Sequence, residues 1–156
     1  MKSHIILLTI FGLLLIGFIV TIFTSTVPVI VDNQPTLLEL VNIERSKTGI
    51  KPLTYDQRLL DSAIVKVNDL IDNNYWSHNR PNGEKFSINI YDHIPKATIV
   101  GENLARCFDT VDKTFKGLNN SPGHHANIVN DKYTLYGDAT ASGNGCSYVV
   151  QHFATE

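Results

Sequence analysis

Three residues occur in contexts where their chemistry needs an explanation. His78 lies between an aromatic pair and a turn, in the segment YWSHNRPNG, and Glu102 interrupts an otherwise apolar strand-like segment, GENLA. His124 follows Ser121 by three residues, at the start of a predicted helix. A buried carboxylate needs a cation, a metal or strong donors. The field of a helix N-terminus favours a neutral imidazole that can act as a ligand.

The spacing of the histidines does not by itself define a metal site. No pair has the H-x-x-x-H spacing of a zinc-binding helix. His124 and the adjacent His125 would point ~100° apart on a helix, so both cannot easily face one cleft. A hydrogen-bonded polar cluster that orders the cleft therefore remains the alternative to a metal site.

The elements that must position these residues are predicted from capping signals and hydrophobic periodicity. Capping boxes at Thr36–Glu39 and Thr54–Gln57 each precede an apolar stripe of helical period, and the second helix ends near 73–74. A long loop at 75–98 contains one short helix, and a strand follows at 98–104. The remaining predicted elements are a third helix with Val111, Phe115 and Leu118, a short helix from Pro122 to Val129, and a hairpin of strands 133–141 and 146–153. Helices first and a hairpin last indicate an α+β fold.

The amino terminus is predicted to meet a membrane. Ile5–Phe23 contains 19 uncharged residues, which as a helix would span ~28 Å, close to the hydrocarbon core of a bilayer. Lys2 precedes the run and Asp32 is the first charge after it, so the remainder is expected outside the cytoplasm. We therefore divide the chain into a signal anchor, or a cleaved signal peptide, with a short linker at 1–31, and an extracytoplasmic domain at 32–156.

The charge argues against one class of partner, and the two cysteines have three possible roles. Thirteen Lys and Arg against 15 Asp and Glu give a net charge of −2, which argues against a nucleic-acid partner. Cys107 and Cys146 are predicted to form a disulfide that ties the segment after Glu102 to the last strand, because a disulfide persists outside the cytoplasm. The alternatives are a reactive thiol near a histidine and two free core thiols.

The ordered motifs resemble the bacterial branch of the CAP superfamily, the SCP-domain family of cysteine-rich secretory, antigen 5 and pathogenesis-related proteins. The similar segments are LLELVNIER, GIKPL, SHNRPNG, GENLA, SPGHHANI, YTLYG and YVVQHF, over roughly residues 36–154. The resemblance implies an α-β-α sandwich with a cleft of two histidines and acidic residues, here His78, Glu102 and His124. Several relatives bind a divalent metal there, often zinc, and two imidazoles with one carboxylate suit Zn²⁺ with an open fourth position.

The chain departs from the family pattern at several positions. Leu118 stands where many relatives have tryptophan, and His125 stands where they have arginine. Animal and plant members carry a second glutamate shortly before the last histidine, but residues 119–122 contain no acid. The cleft implied for this chain therefore has three residues rather than four.

Three functions follow as hypotheses. The first is a membrane-tethered or secreted domain that binds a metal, a lipid, an envelope component or a protein. The second is a hydrolase in which Glu102 accepts a proton from water while His78 and His124 hold a metal or polarise a carbonyl. The third is a structural envelope module with a vestigial cleft. The membrane is a partner through residues 1–31 in each case unless the signal is cleaved.

Overall fold

The chain divides at Asp32, and the computed structural model describes residues 34–156. No helix within those residues is both long and apolar enough to cross a membrane. The predicted membrane-spanning segment lies outside the described residues and stays a prediction. The elements are α1 (Leu37–Lys47), β1 (Thr54–Tyr55), α2 (Gln57–Asp72), α3 (Ser87–His93), β2 (Ile99–Arg106), α4 (Val111–Asn119), α5 (Pro122–Ile128), β3 (Leu135–Gly143) and β4 (Cys146–Thr155).

Local sequence signals explain most helix starts. The capping box of α1 is confirmed, because the Thr36 hydroxyl accepts from the Glu39 amide while the Glu39 carboxylate accepts from the Thr36 amide. The predicted box at Thr54–Gln57 is wrong. Asp56 caps α2 instead, since its side chain accepts from the Arg58 amide. Thr54 is unable to cap because it belongs to β1.

Four strands form one sheet in the order β1-β3-β4-β2. β1 pairs with β3 in parallel, and the other two pairings are antiparallel. The predicted hairpin of β3 and β4 is confirmed, and Asn144 and Gly145 turn it with positive φ angles of 51° and 75°. β2, which carries Glu102, lies at one edge of the sheet.

Helices cover both faces of the sheet, so the predicted mixed α and β architecture is confirmed as three layers. On one face, α2 buries Ala63, Val67 and Leu70 against alternate residues of the strands. On the other face, α1, α4 and α5 contribute Leu37, Val41, Leu118 and Ile128 to a core with Tyr136, Val149 and Phe153. The alternation follows from the two-residue period of a strand.

The predicted disulfide is confirmed. Cys107 and Cys146 are bonded across a sequence separation of 39 residues. They join the end of β2 to the start of β4, and a cross-link of this span contributes about 4 kcal/mol in the chain-entropy model. It fixes the end of the strand that carries Glu102.

Candidate functional site

Glu102 lies in β2, at the centre of a row of hydrogen-bonded side chains. Its Oε1 accepts from Nδ1 of His78 at 2.7 Å, and its Oε2 accepts from Nε2 of His152 at 3.1 Å. The side chains of Glu102 and His152 are completely buried, whereas that of His78 is 50% exposed. The row therefore links a buried carboxylate to an imidazole at the surface.

His152 is a residue of this site that sequence reasoning missed. The antiparallel register places it directly opposite Glu102. Its Nδ1 lies 2.9 Å from Oγ of Ser62 in α2, and with Nε2 donating to Glu102, the neutral ring accepts the serine proton there. Burial lowers the pKa of His152 despite the opposing effect of Glu102, so the ring is neutral at pH 7. A polar residue inside the apolar segment YVVQHF is the signal that could have revealed it.

The carboxyl of Glu102 stays ionised although it is buried. Burial raises its pKa, but the hydrogen bonds from His152 and His78 and the charge of Lys66 outweigh burial, and the net pKa lies below the ordinary 4.5. From the sequence, a buried carboxylate is expected to need strong hydrogen-bond donors, and the imidazoles of His78 and His152 are those donors.

The loop that carries His78 is held by a buried lysine. Lys66 of α2 is 0% exposed, and its Nζ donates to the carbonyls of Ser77 and His78 at 3.0 and 2.6 Å and to the Tyr75 hydroxyl at 3.1 Å. Three acceptors satisfy the three ammonium donors. The backbone on both sides of the Ser77–His78 peptide is thereby fixed relative to α2.

His124 reaches the same edge of the sheet from α5. Asn103 of β2 donates to the His124 carbonyl at 3.1 Å, and Asn127 donates to the Glu102 carbonyl at 3.2 Å, so α5 is held along β2. Burial and the nearby charge of His78 both lower the pKa of His124, which favours a neutral ring. The structure thus joins His78 to Glu102 directly and brings His124 within electrostatic range of His78.

Of the side chains in this site, only the imidazoles are available as zinc ligands. Among residues 34–156, no three His, Cys, Asp or Glu side chains are arranged to hold a metal ion. Both carboxylate oxygens of Glu102 already accept hydrogen bonds from imidazoles. In the described domain, Nε2 of His78 and the ring of His124 make no hydrogen bond.

A comparison with protein families identifies the fold. Residues 38–153 match the model of the cysteine-rich secretory protein family, CAP. The chain belongs to this CAP family. It is similar to two Bacillus subtilis proteins, the uncharacterized protein YkwD at 38% identity over 105 residues and the uncharacterized membrane protein YlbC at 28% over 109 residues.

A solved structure shares the architecture of this CAP chain. It is an extracellular protein from Bacillus anthracis that contains an SCP domain, with 28% identity, a TM-score of 0.69 and 77% of this chain covered. The chain spans only 39% of that structure, 40% of YkwD and 30% of YlbC. The similarity is therefore limited to the CAP domain. An extracellular relative is consistent with the predicted extracytoplasmic location of this domain.

Proposed function

We propose that this CAP domain is an extracytoplasmic binding module whose cleft takes up a ligand at His78 and His124. The observation that carries the proposal is the hydrogen bond between the buried carboxylate of Glu102 and the half-exposed imidazole of His78. The carboxylate accepts from the ring and thereby fixes its orientation. A buried charge with this orientation costs stability unless its partners compensate for it. Binding through the imidazole it orients is a function that accounts for it.

The geometry supports binding better than hydrolysis by Glu102. An efficient general base has a pKa near the working pH. The pKa of Glu102 is lowered below its ordinary value, because hydrogen bonds from His152 and His78 outweigh burial. Each of its oxygens also accepts a hydrogen bond from an imidazole, and the side chain is completely buried, so the carboxylate is not exposed to a water outside the row.

In this proposal the ligand is a divalent cation, zinc in the first instance, because imidazole nitrogens are common zinc ligands. Metal-binding histidines commonly donate their other ring N–H to a carboxylate, which orients the ring and raises its basicity. Glu102 has this relation to His78, so in the proposal it orients a ligand rather than serving as one. Zinc bound there would supply a coordination point for an oxygen of a further molecule.

Zinc titration of the purified full chain by calorimetry tests the proposal. We expect one site whose affinity falls at least about ten-fold in His78→Ala and in His124→Ala. Glu102→Gln is expected to weaken binding by about 10- to 100-fold, as the loss of an orienting partner does. His93→Ala is the matched control, because His93 hydrogen bonds to the Asn89 carbonyl on α3, outside the row. Equal zinc affinity in the His78 and His124 variants would contradict the proposal.

Attachment to a membrane through residues 1–31 is the second part of the proposal. It is supported by the uncharged run at Ile5–Phe23 and by the similarity to a protein named as a membrane protein. Carbonate extraction of cell envelopes tests it. The full chain should stay in the membrane pellet, and release of an intact full-length chain would refute anchoring.

A further inference from the structure

A stacked arginine lies farther along β2 on the same face as Glu102. The Arg106 guanidinium carbon is 4.8 Å from the centre of the Trp76 ring. The indole in turn packs edge-on against Tyr148, with ring centres 5.7 Å apart. Arg106 is exposed and Trp76 is 36% exposed, so the pair is accessible to solvent.

Among the described residues, the donors of Arg106 have no acceptor, unlike those of the other arginines. Arg45 donates to backbone carbonyls, Arg58 pairs with Asp56 and Glu156, and Arg80 pairs with Asp69 and Glu84. Among the hydrogen bonds and ion pairs within residues 34–156, none uses the Arg106 guanidinium. A planar guanidinium with free donors matches the two oxygens of a carboxylate or a phosphate.

The backbone at Arg106 is held in place before any ligand arrives. Arg106 is paired in register with Tyr148, and the next residue, Cys107, is bonded to Cys146 of β4. Stacking on the indole restricts the side chain further. Because little freedom is left to lose, binding an anion costs less ordering entropy than at a mobile surface arginine.

We propose that Trp76 and Arg106 form an oxyanion subsite, which binds a carboxylate or phosphate group on an elongated ligand. Glu102 and Arg106 are four residues apart on one face of β2, about 13 Å at ~3.3 Å per residue. Trp76 and His78 share one loop, so a molecule that lies along this loop contacts both sites. The second contact rests on the proposed function of the histidines, whereas the oxyanion contact does not.

Titration of the full chain with inorganic phosphate, and separately with acetate, tests the subsite. Trp76 is the only tryptophan of the chain, so its fluorescence reports on Arg106 directly. At constant ionic strength maintained with sodium chloride, we expect a saturable change with one anion or with both. Saturation by one anion alone identifies the group that the subsite prefers, saturation by both shows that it accepts either group, and saturation by neither overturns the proposal.

Variants and calorimetry make the assignment specific. Arg106→Ala should lose at least about ten-fold in anion affinity, while Arg58→Ala, a carboxylate-paired surface arginine, should bind as the parent does. Calorimetry repeats each titration without relying on the indole signal. His124→Ala should lose zinc but retain the anion, which separates this proposal from that for the cleft. Retention of affinity in Arg106→Ala, or loss of the anion in His124→Ala, would refute the subsite.

Discussion

The ionised Glu102 depends on side chains that come from three different elements. His152 in β4 and His78 in the loop after α2 donate to its two oxygens, and Lys66 in α2 adds a positive charge nearby. Removing one member of such a network leaves a buried polar group without a partner, at a cost of about 1–3 kcal/mol. Each member therefore affects both the stability and the orientation of the exposed imidazole.

Lys66 provides the sharpest test at the residue scale. Lys66→Met removes the donor to the Ser77 and His78 carbonyls, so we expect a loss of about 2 kcal/mol in the free energy of unfolding. Zinc affinity should fall as well, because the backbone of His78 is no longer fixed. Urea denaturation and calorimetry measure the two effects. Lys116→Met is the control, since Lys116 is 68% exposed and its ion pair with Asp112 contributes little. An unchanged zinc affinity in Lys66→Met would show that the lysine does not position His78.

At the scale of elements, the close approach of α2 to β3 positions the hydrogen-bonded row of His78, Glu102 and His152. Gly137 lies opposite His152 in the sheet, and a Cβ at Gly137 would overlap the backbone of Leu59 and Leu60 at the start of α2. Because backbone atoms cannot rotate away, Gly137→Ala must displace the helix. The same helix carries Ser62, so the displacement should also disturb the hydrogen bond to His152.

We expect Gly137→Ala to lower the free energy of unfolding by about 1–3 kcal/mol, the usual cost of overpacking. Thermal or urea denaturation measures this loss. Gly123→Ala is the matched control, because a Cβ at Gly123 meets nothing within 4 Å, and it should be neutral or stabilising. Equal stability of the two variants would mean that α2 can shift without cost.

The sequence predicted the elements better than the contacts between them. Local signals located α1, α5 and the hairpin, and the hydrophobic period located α2 although its predicted cap was wrong. The motif order placed His78 and Glu102 in one site. Asp56 was missed as a cap because Thr54 is drawn into β1 by pairing with Leu135, far along the chain. His152 was missed for the same reason, since its position opposite Glu102 depends on strand register.

At the scale of the whole molecule, two buried groups tie stability to pH in the same direction. The pKa of His152 is lowered from 6.5 because burial disfavours the charged ring, and the pKa of Glu102 is lowered because the hydrogen bonds from His152 and His78 outweigh its burial. For each group, the unfolded chain takes up a proton at a higher pH than the folded chain. Their stabilisation is therefore complete above the unfolded pKa and is lost as pH falls through the folded pKa.

The loss begins with His152, below about pH 6.5, and Glu102 adds to it only below about pH 4.5. We expect the free energy of unfolding of the full chain to fall between pH 7 and pH 5, with a slope of up to about 1.4 kcal/mol per pH unit for each proton taken up. His152→Gln, which retains hydrogen-bonding groups but does not titrate, should flatten this slope, whereas His125→Gln, at a partly exposed ring beside Glu44, should not. Urea denaturation at several pH values measures the slope. A slope that is the same in the parent and in His152→Gln would show that the buried imidazole is not the group that links folding to acid.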